Sequence, residues 1–282
     1  MTRHQSHIQA PSTKPSHSTQ APWQIPIHLL RPMWLRSRES MLDEGLVYDP
    51  IAASACRSCH LSPECQTSNL EQDQLLYASI TQLCDEQISA FLKRYPDAWV
   101  LNVGAGLDTR FYRLDNGRCH WMELDVSEHL LWRQRLFHPS ERYQLRCGSV
   151  TDLGWLQELS ISDQVPLLIV CDAALLQCTE EQLGKFMVGL AKRFLHAQCC
   201  FVVAGNKTNT WLGKKLGNQQ YAHGLKSPQE SFFRWLPWAE SVSLHSPLHN
   251  KRCLRWKPWQ RWLAKLSHQA HAYTPVVLRM RW

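Results

Sequence analysis

The 282-residue chain is 44% hydrophobic and 20% charged, with a formal net charge of +7 and a pI near 8.9. That length buries one sizeable core, and a single domain with a helical appendage fits it better than two equal domains. The mild basicity permits anionic substrates or weak nucleic-acid contact without demanding either, and no run of about eighteen apolar residues is present to cross a membrane. With no charged-then-apolar signal layout at the N-terminus either, the expected location is the cytoplasm, where the eleven cysteines, several inside apolar runs as at Cys171, Cys199 and Cys200, read as buried thiols rather than a disulfide framework.

Residues 1–22 are Ser, Thr, Gln, His and Pro with almost no large apolar side chains, and are expected to form a disordered tail. From Ile25 a helical pattern begins, with Ile27, Leu30, Met33 and Trp34 at three- and four-residue steps; residues 23–95 are expected to form a helical cap. Within it Cys56, Cys59, His60 and Cys65 offer three thiols and an imidazole, a weak zinc candidate. A second clustered pair is lacking, so the run reads as a cysteine-rich connector. The amphipathic stretch Leu75–Tyr95, with Leu76, Ile80, Leu83, Ile88 and Leu92 on one side, is expected to be a helix stopped by Pro96.

Residues 96–282 read as an α/β domain. The run Trp99-Val-Leu-Asn-Val103 suits a buried strand, and Gly104-Ala105-Gly106 then lets the chain turn tightly and a ligand approach bare backbone. A second strand, 119–125, ends in Asp125, near the spacing at which a doubly wound fold presents a carboxylate to a ribose. The third glycine of the dinucleotide fingerprint is missing, which argues against NAD and suits S-adenosylmethionine (SAM), a ligand without a pyrophosphate; a glycine turn with no ligand is the alternative. Further strands are expected at 143–147, 165–171, 199–204 and 276–282. Helices are expected at 127–137 and from a capping box at Thr179-Glu-Glu-Gln182. Tryptophans 235, 238, 256, 259 and 262 alternate with Arg234, Arg252, Arg255, Lys257 and Arg261. Base stacking would explain this, as would core packing with snorkelling basic stems.

The stretch Val-Leu-Asn-Val-Gly-Ala-Gly-Leu-Asp-Thr-Arg-Phe-Tyr-Arg-Leu-Asp (100–115), with Trp-Met-Glu-Leu-Asp (121–125), Gly148-Ser-Val-Thr-Asp152 and His223-Gly-Leu-Lys-Ser-Pro228, resembles the leucine carboxyl methyltransferase family, which includes the tetracenomycin-type polyketide O-methyltransferases. The resemblance implies a three-layer Rossmann-like methyltransferase fold, a mostly parallel seven-stranded sheet under an N-terminal helical cap, and SAM as cofactor. It also implies SAM contacts at Arg38, Gly104, Ala105, Gly106, Asp125, Asp152, Leu153 and Asp172. The acceptor would be a small molecule methylated on a carboxylate or hydroxyl, with Arg110, Arg113 and His223 as candidate substrate residues, and neither membrane nor nucleic acid as a partner. Ile80 stands where the family usually has an arginine facing the SAM carboxylate, and Ala173 and Gln177 replace its usual glycine and tyrosine. A catalytically degenerate scaffold is therefore the rival reading, and modification of RNA, carried by the basic, tryptophan-rich C-terminal third, is a third.

Overall fold

The computed structural model describes residues 25–57, 59, 69–217, 220–249 and 255–282. The expected N-terminal tail, His60 and Cys65 lie outside them. Seven strands form one sheet: β1 (Trp99–Val103), β2 (His120–Asp125), β3 (Tyr143–Cys147), β4 (Leu167–Cys171), β5 (Ala197–Ala204), β6 (Ser241–His245) and β7 (Pro275–Arg281). They lie in the order β3-β2-β1-β4-β5-β7-β6, and only β7 runs antiparallel to its neighbours. After β3 the chain crosses to the far side of β1, so β1 and β4 diverge and leave a crevice beyond their carboxyl ends.

The central strands are apolar on both faces because helices cover both. Leu101, Ile169 and Phe201 point into one apolar cluster with Leu183, Phe186 and Leu190 of α6 (Glu180–Arg193). Val100, Leu168, Val170 and Val202 point into a second with Ile88, Phe91 and Leu92 of α3 (Leu70–Arg94). This period-two division of each strand produces the three layers. The capping box of α6 forms as expected: Thr179 Oγ1 accepts from Gln182 N at 3.3 Å and Gln182 Oε1 from Thr179 N at 2.8 Å. By contrast, α5 (Ser127–Leu136) starts without a side-chain cap, because Ser127 is its first residue rather than its N-cap. The helix expected at 75–95 begins five residues earlier, with Glu71 and Asp73 in its first turn.

Before the sheet, α1 (Ile27–Glu39) and α2 (Pro50–Arg57) pack on the β1 edge loop through a third cluster joining Leu29, Leu30 and Met33 to Leu107 and Phe137. Strand β6 was not anticipated: its five residues are polar at alternate positions and lie at the sheet edge, leaving no strong apolar signal. Among the described residues no helix is long and apolar enough to cross a membrane.

Candidate functional site

A cavity of about 750 Å³ opens beyond the carboxyl ends of β1, β2, β3 and β4, under α1. Its floor is the loop after β1. Gly104 (φ 68°) and Gly106 (φ 49°) adopt left-handed backbone, and a Cβ on Gly104 would stand 2.2 Å from that of Ala174. Asp125 ties this loop to β2: Oδ2 accepts from Gly106 N at 2.6 Å, and Oδ1 accepts from Val126 N at 2.7 Å and faces His129 Nδ1 at 2.8 Å. His129 Nε2 of α5 lies 3.2 Å from His28 Nε2 of α1, so the cap and α5 meet on this wall. Gly104, Ala105, Gly106, Asp125 and Asp172 all line the cavity, and the structure brings these expected residues together.

The other expected residues sit elsewhere. Arg38 is exposed, donating to Gln74 Oε1 at 3.0 Å and lying over Trp34. Of the basic residues of α1, Arg31 and Arg36 line the cavity instead, Arg36 standing two positions before Arg38 and so on nearly the opposite side of the helix. Asp152 is exposed and accepts from Gly154 N at 3.1 Å, while Leu153 packs toward Gly189 of α6; at this strand end Ser149, Val150 and Thr151 line the cavity instead. Ile80 is buried in the core beneath α3, and that helix presents Tyr77 to the cavity.

Arg110 and Arg113, expected to hold substrate, are locked in a buried ion network. Arg110 donates to Asp85 at 3.0 Å, Asp108 at 2.7 Å and Asp172 at 2.9 Å. Arg113 bridges Asp49 at 2.8 Å and Asp85 at 3.0 Å. The Asp108-Thr109-Arg110 run thus closes its own loop: burial works against the Asp108 charge, yet Arg110, Arg36, Arg113 and Arg133 hold its carboxyl well below the usual range. Arg133 of α5 completes the cradle by donating to the Gly106 and Asp108 carbonyls at 2.8 and 2.6 Å and to Glu123 at 2.8 Å. Burial nonetheless pushes the Glu123 carboxyl up to about 7.

His223 is buried and committed. Its Nε2 accepts from Ala204 N at 2.9 Å and its Nδ1 faces the Cys178 carbonyl at 2.9 Å, which requires the Nδ1–H neutral tautomer. Burial also holds it below the usual histidine range. Cys56 and Cys59 are buried thiols, burial raising Cys56 to about 11, and among the described residues no group of three or more His, Cys, Asp or Glu side chains could hold a metal.

Arg36 was missed by sequence reasoning because both it and Arg38 lie in the same basic helix end. Its Nε donates to Asp49 at 2.9 Å, Nη1 to Tyr77 Oη at 2.7 Å and Nη2 to the Leu107 carbonyl at 2.8 Å. Three of five N–H groups are thereby used. Burial opposes its charge, but Tyr77, Asp108 and Asp49 raise its pKa above the usual arginine range.

Residues 30–143, which span the cap, the glycine loop and β2, match the family model of leucine carboxyl methyltransferase. Over this segment the chain is similar to that family. An 89-residue stretch is 34% identical to the tetracenomycin polyketide synthesis O-methyltransferase TcmP of Streptomyces glaucescens, covering 31% of this chain and 32% of that protein. The chain thus matches about a third of that curated relative's length. Among solved structures, a DUF574 family protein from Streptomyces avermitilis aligns with a TM-score of 0.56 at 10% identity over 88% of this chain and 96% of its own. A Thermobifida fusca protein assigned to the methyltransferases aligns at 0.54 and 12% over 92% and 98%. At these identities the likeness is one of fold: the Rossmann-like methyltransferase architecture.

Proposed function

We propose that the chain is a SAM-dependent O-methyltransferase acting on a small molecule, with residues 96–282 as its catalytic domain and 23–95 as the cap over it. The observation that carries this reading is the convergence of Arg36, the Gly104–Gly106 backbone, Asp125 and Asp172 on one cavity at the topological switch point. These groups fit the cofactor. Arg36 has N–H groups to spare for its carboxylate, Asp172 is an acid for its ammonium, Asp125 is a carboxylate for its ribose hydroxyls, and the glycines present bare backbone where a Cβ would block approach. When bound, SAM supplies an electrophilic methyl group on a sulfonium.

What the chain itself supplies is positioning. Leu29 and Pro32 of α1 make the cavity roof apolar, which keeps water from competing with the acceptor. His223 is excluded as a general base by its two hydrogen bonds. An acceptor already ionised at neutral pH, a carboxylate, requires no base. Arg110 and Arg113 being committed, the cavity-lining cation left to hold such an acceptor is Arg31, whose Nη2 donates to Asp73 at 2.7 Å while its Nε has no partner. The test is transfer of radiolabelled methyl from SAM to a panel of aromatic carboxylic acids and phenols. Labelled ester from a carboxylic acid, reduced at least tenfold in Arg31→Ala, supports the reading. Cofactor binding without transfer to any acceptor favours the scaffold reading, to which Ala173 and Gln177 on the cavity wall lend weight.

A further inference from the structure

The C-terminal region carries a surface that the cavity does not use. Residues 241–282 hold eight Lys and Arg and no Asp or Glu, which exceeds the +7 of the whole chain. Of the two readings of its tryptophans, core packing holds for Trp256, 1% exposed, but not for Trp259 and Trp262. Helix α9 (Pro258–Lys265) buries Gln260, Leu263 and Ala264, and turns Trp259 (37% exposed) and Trp262 (62%) outward beside Lys257, Arg261 and Lys265. The one-turn helix α7 (Trp211–Lys214) does the same with Trp211, 72% exposed, and with Lys214 and Lys215.

Gln72 of α3 links these two helices. Gln260 of α9 donates to Gln72 Oε1 at 2.8 Å, and Gln72 in turn donates to the Leu216 carbonyl just after α7 at 3.2 Å. Leu216 shares one apolar cluster with Leu263 and Ala264. None of Lys214, Lys215, Lys257, Arg261 and Lys265 forms an ion pair with a described residue. The loop that carries α7 is also bound to the cavity rim: Asn209 exchanges two hydrogen bonds with Tyr221, at 2.9 and 3.1 Å, next to cavity-lining Gln220.

We propose that this face docks reversibly on an anionic lipid bilayer, with Trp211, Trp259 and Trp262 at the headgroup level and the surrounding cations on the lipid phosphates. Tryptophan with lysine is the composition of a membrane interface, where an amphipathic ring and a snorkelling ammonium each keep one end wet. Single-stranded nucleic acid fits less well. The free cations are mostly lysine, which lacks the planar fork that grips phosphates and bases, and the Lys215 ammonium already sits 3.8 Å over the Trp211 ring where a base would stack. Docking of this kind needs no spanning segment, so it agrees with the lack of one among the described helices. It revises the expectation that no membrane is involved.

The experiment is flotation of the purified full chain with vesicles of phosphatidylcholine alone or with about 30 mol % phosphatidylserine, with tryptophan emission read in parallel. The expected result is binding and a blue shift with the anionic vesicles only. Both should be lost in about 0.5 M salt, where the screening length falls to roughly 4 Å. Two variants on exposed positions, Lys214→Glu/Lys215→Glu/Arg261→Glu and Trp211→Ser/Trp262→Ser, should each weaken binding at least tenfold while melting like the parent. If one variant fails to fold, the other and the salt series still decide. Absence of binding, equal binding to neutral vesicles, or unchanged binding by both variants would overturn the proposal, as would retention of a single-stranded RNA oligonucleotide with none of the anionic vesicles.

Discussion

Replacing Gly104 by alanine separates two costs that the glycine loop avoids. At φ 68° a Cβ is strained by about 1–2 kcal/mol. Its position 2.2 Å from the Ala174 Cβ forces a shift of the kind that costs about 1–3 kcal/mol in a packed interior. The sum, roughly 2–5 kcal/mol, corresponds to a fall in Tm of about 3–9 °C for a chain of this size. The contact is attributable to one atom, because after the Ala174 Cβ the nearest neighbour is its Cα at 3.7 Å. Ala174→Gly in the Gly104→Ala background should therefore restore the packing part and leave the backbone part, whereas Ala174→Gly alone costs at most about 1 kcal/mol. Thermal unfolding of the four proteins of this cycle supplies the coupling energy. A Gly104→Ala protein that melts like the parent, or a double variant with no rescue, would refute the view that the loop is built for close backbone approach.

Glu123, lifted from 4.5 to about 7 by burial, holds a proton in the folded protein that the unfolded chain releases. Its contribution to stability is fully present below about pH 4.5 and is lost as the pH rises through about 7, an effect on the order of 3 kcal/mol. Glu123→Gln should flatten the decline in urea stability between about pH 5 and pH 8, and an unchanged slope would remove Glu123 as its source. Arg133→Met deprives two loop carbonyls and Glu123 of their donor, so a loss of about 3–5 kcal/mol is expected in the same unfolding assay. Asp152→Ala removes only a bond to Gly154 N at an exposed turn; SAM affinity should stay within about twofold of the parent, and stability should fall by about 1 kcal/mol at most.

How far the residues announced this arrangement depends on how local each signal is. Strands β1 to β5 and the Thr179 capping box rest on patterns a few residues long, and they formed close to their expected bounds. Gly104, Gly106, Asp125 and Asp172 were legible for the same reason, each standing at a strand end that parallel topology directs to one edge. The choice of Arg36 over Arg38 was not, because it depends on the rotation of α1 about its axis, set by Leu29, Leu30 and Met33 packing on Leu107 and Phe137. Arg110 and Arg113 looked like substrate cations for want of their partners: Asp49, Asp85 and Asp172 come from three separate segments. The exposure of Trp211 and Trp262 was equally hidden, since composition alone does not distinguish an inward ring from an outward one.

The central claim is that the cavity under α1 is a SAM site whose carboxylate end is Arg36. Isothermal titration of SAM into the parent protein and into Arg36→Ala, Arg38→Ala and Asp125→Ala tests it most directly. Micromolar binding that falls at least tenfold in Arg36→Ala and Asp125→Ala, and stays unchanged in Arg38→Ala, is the predicted result. Absence of binding to the folded parent, or equal loss in the two arginine variants, would contradict it.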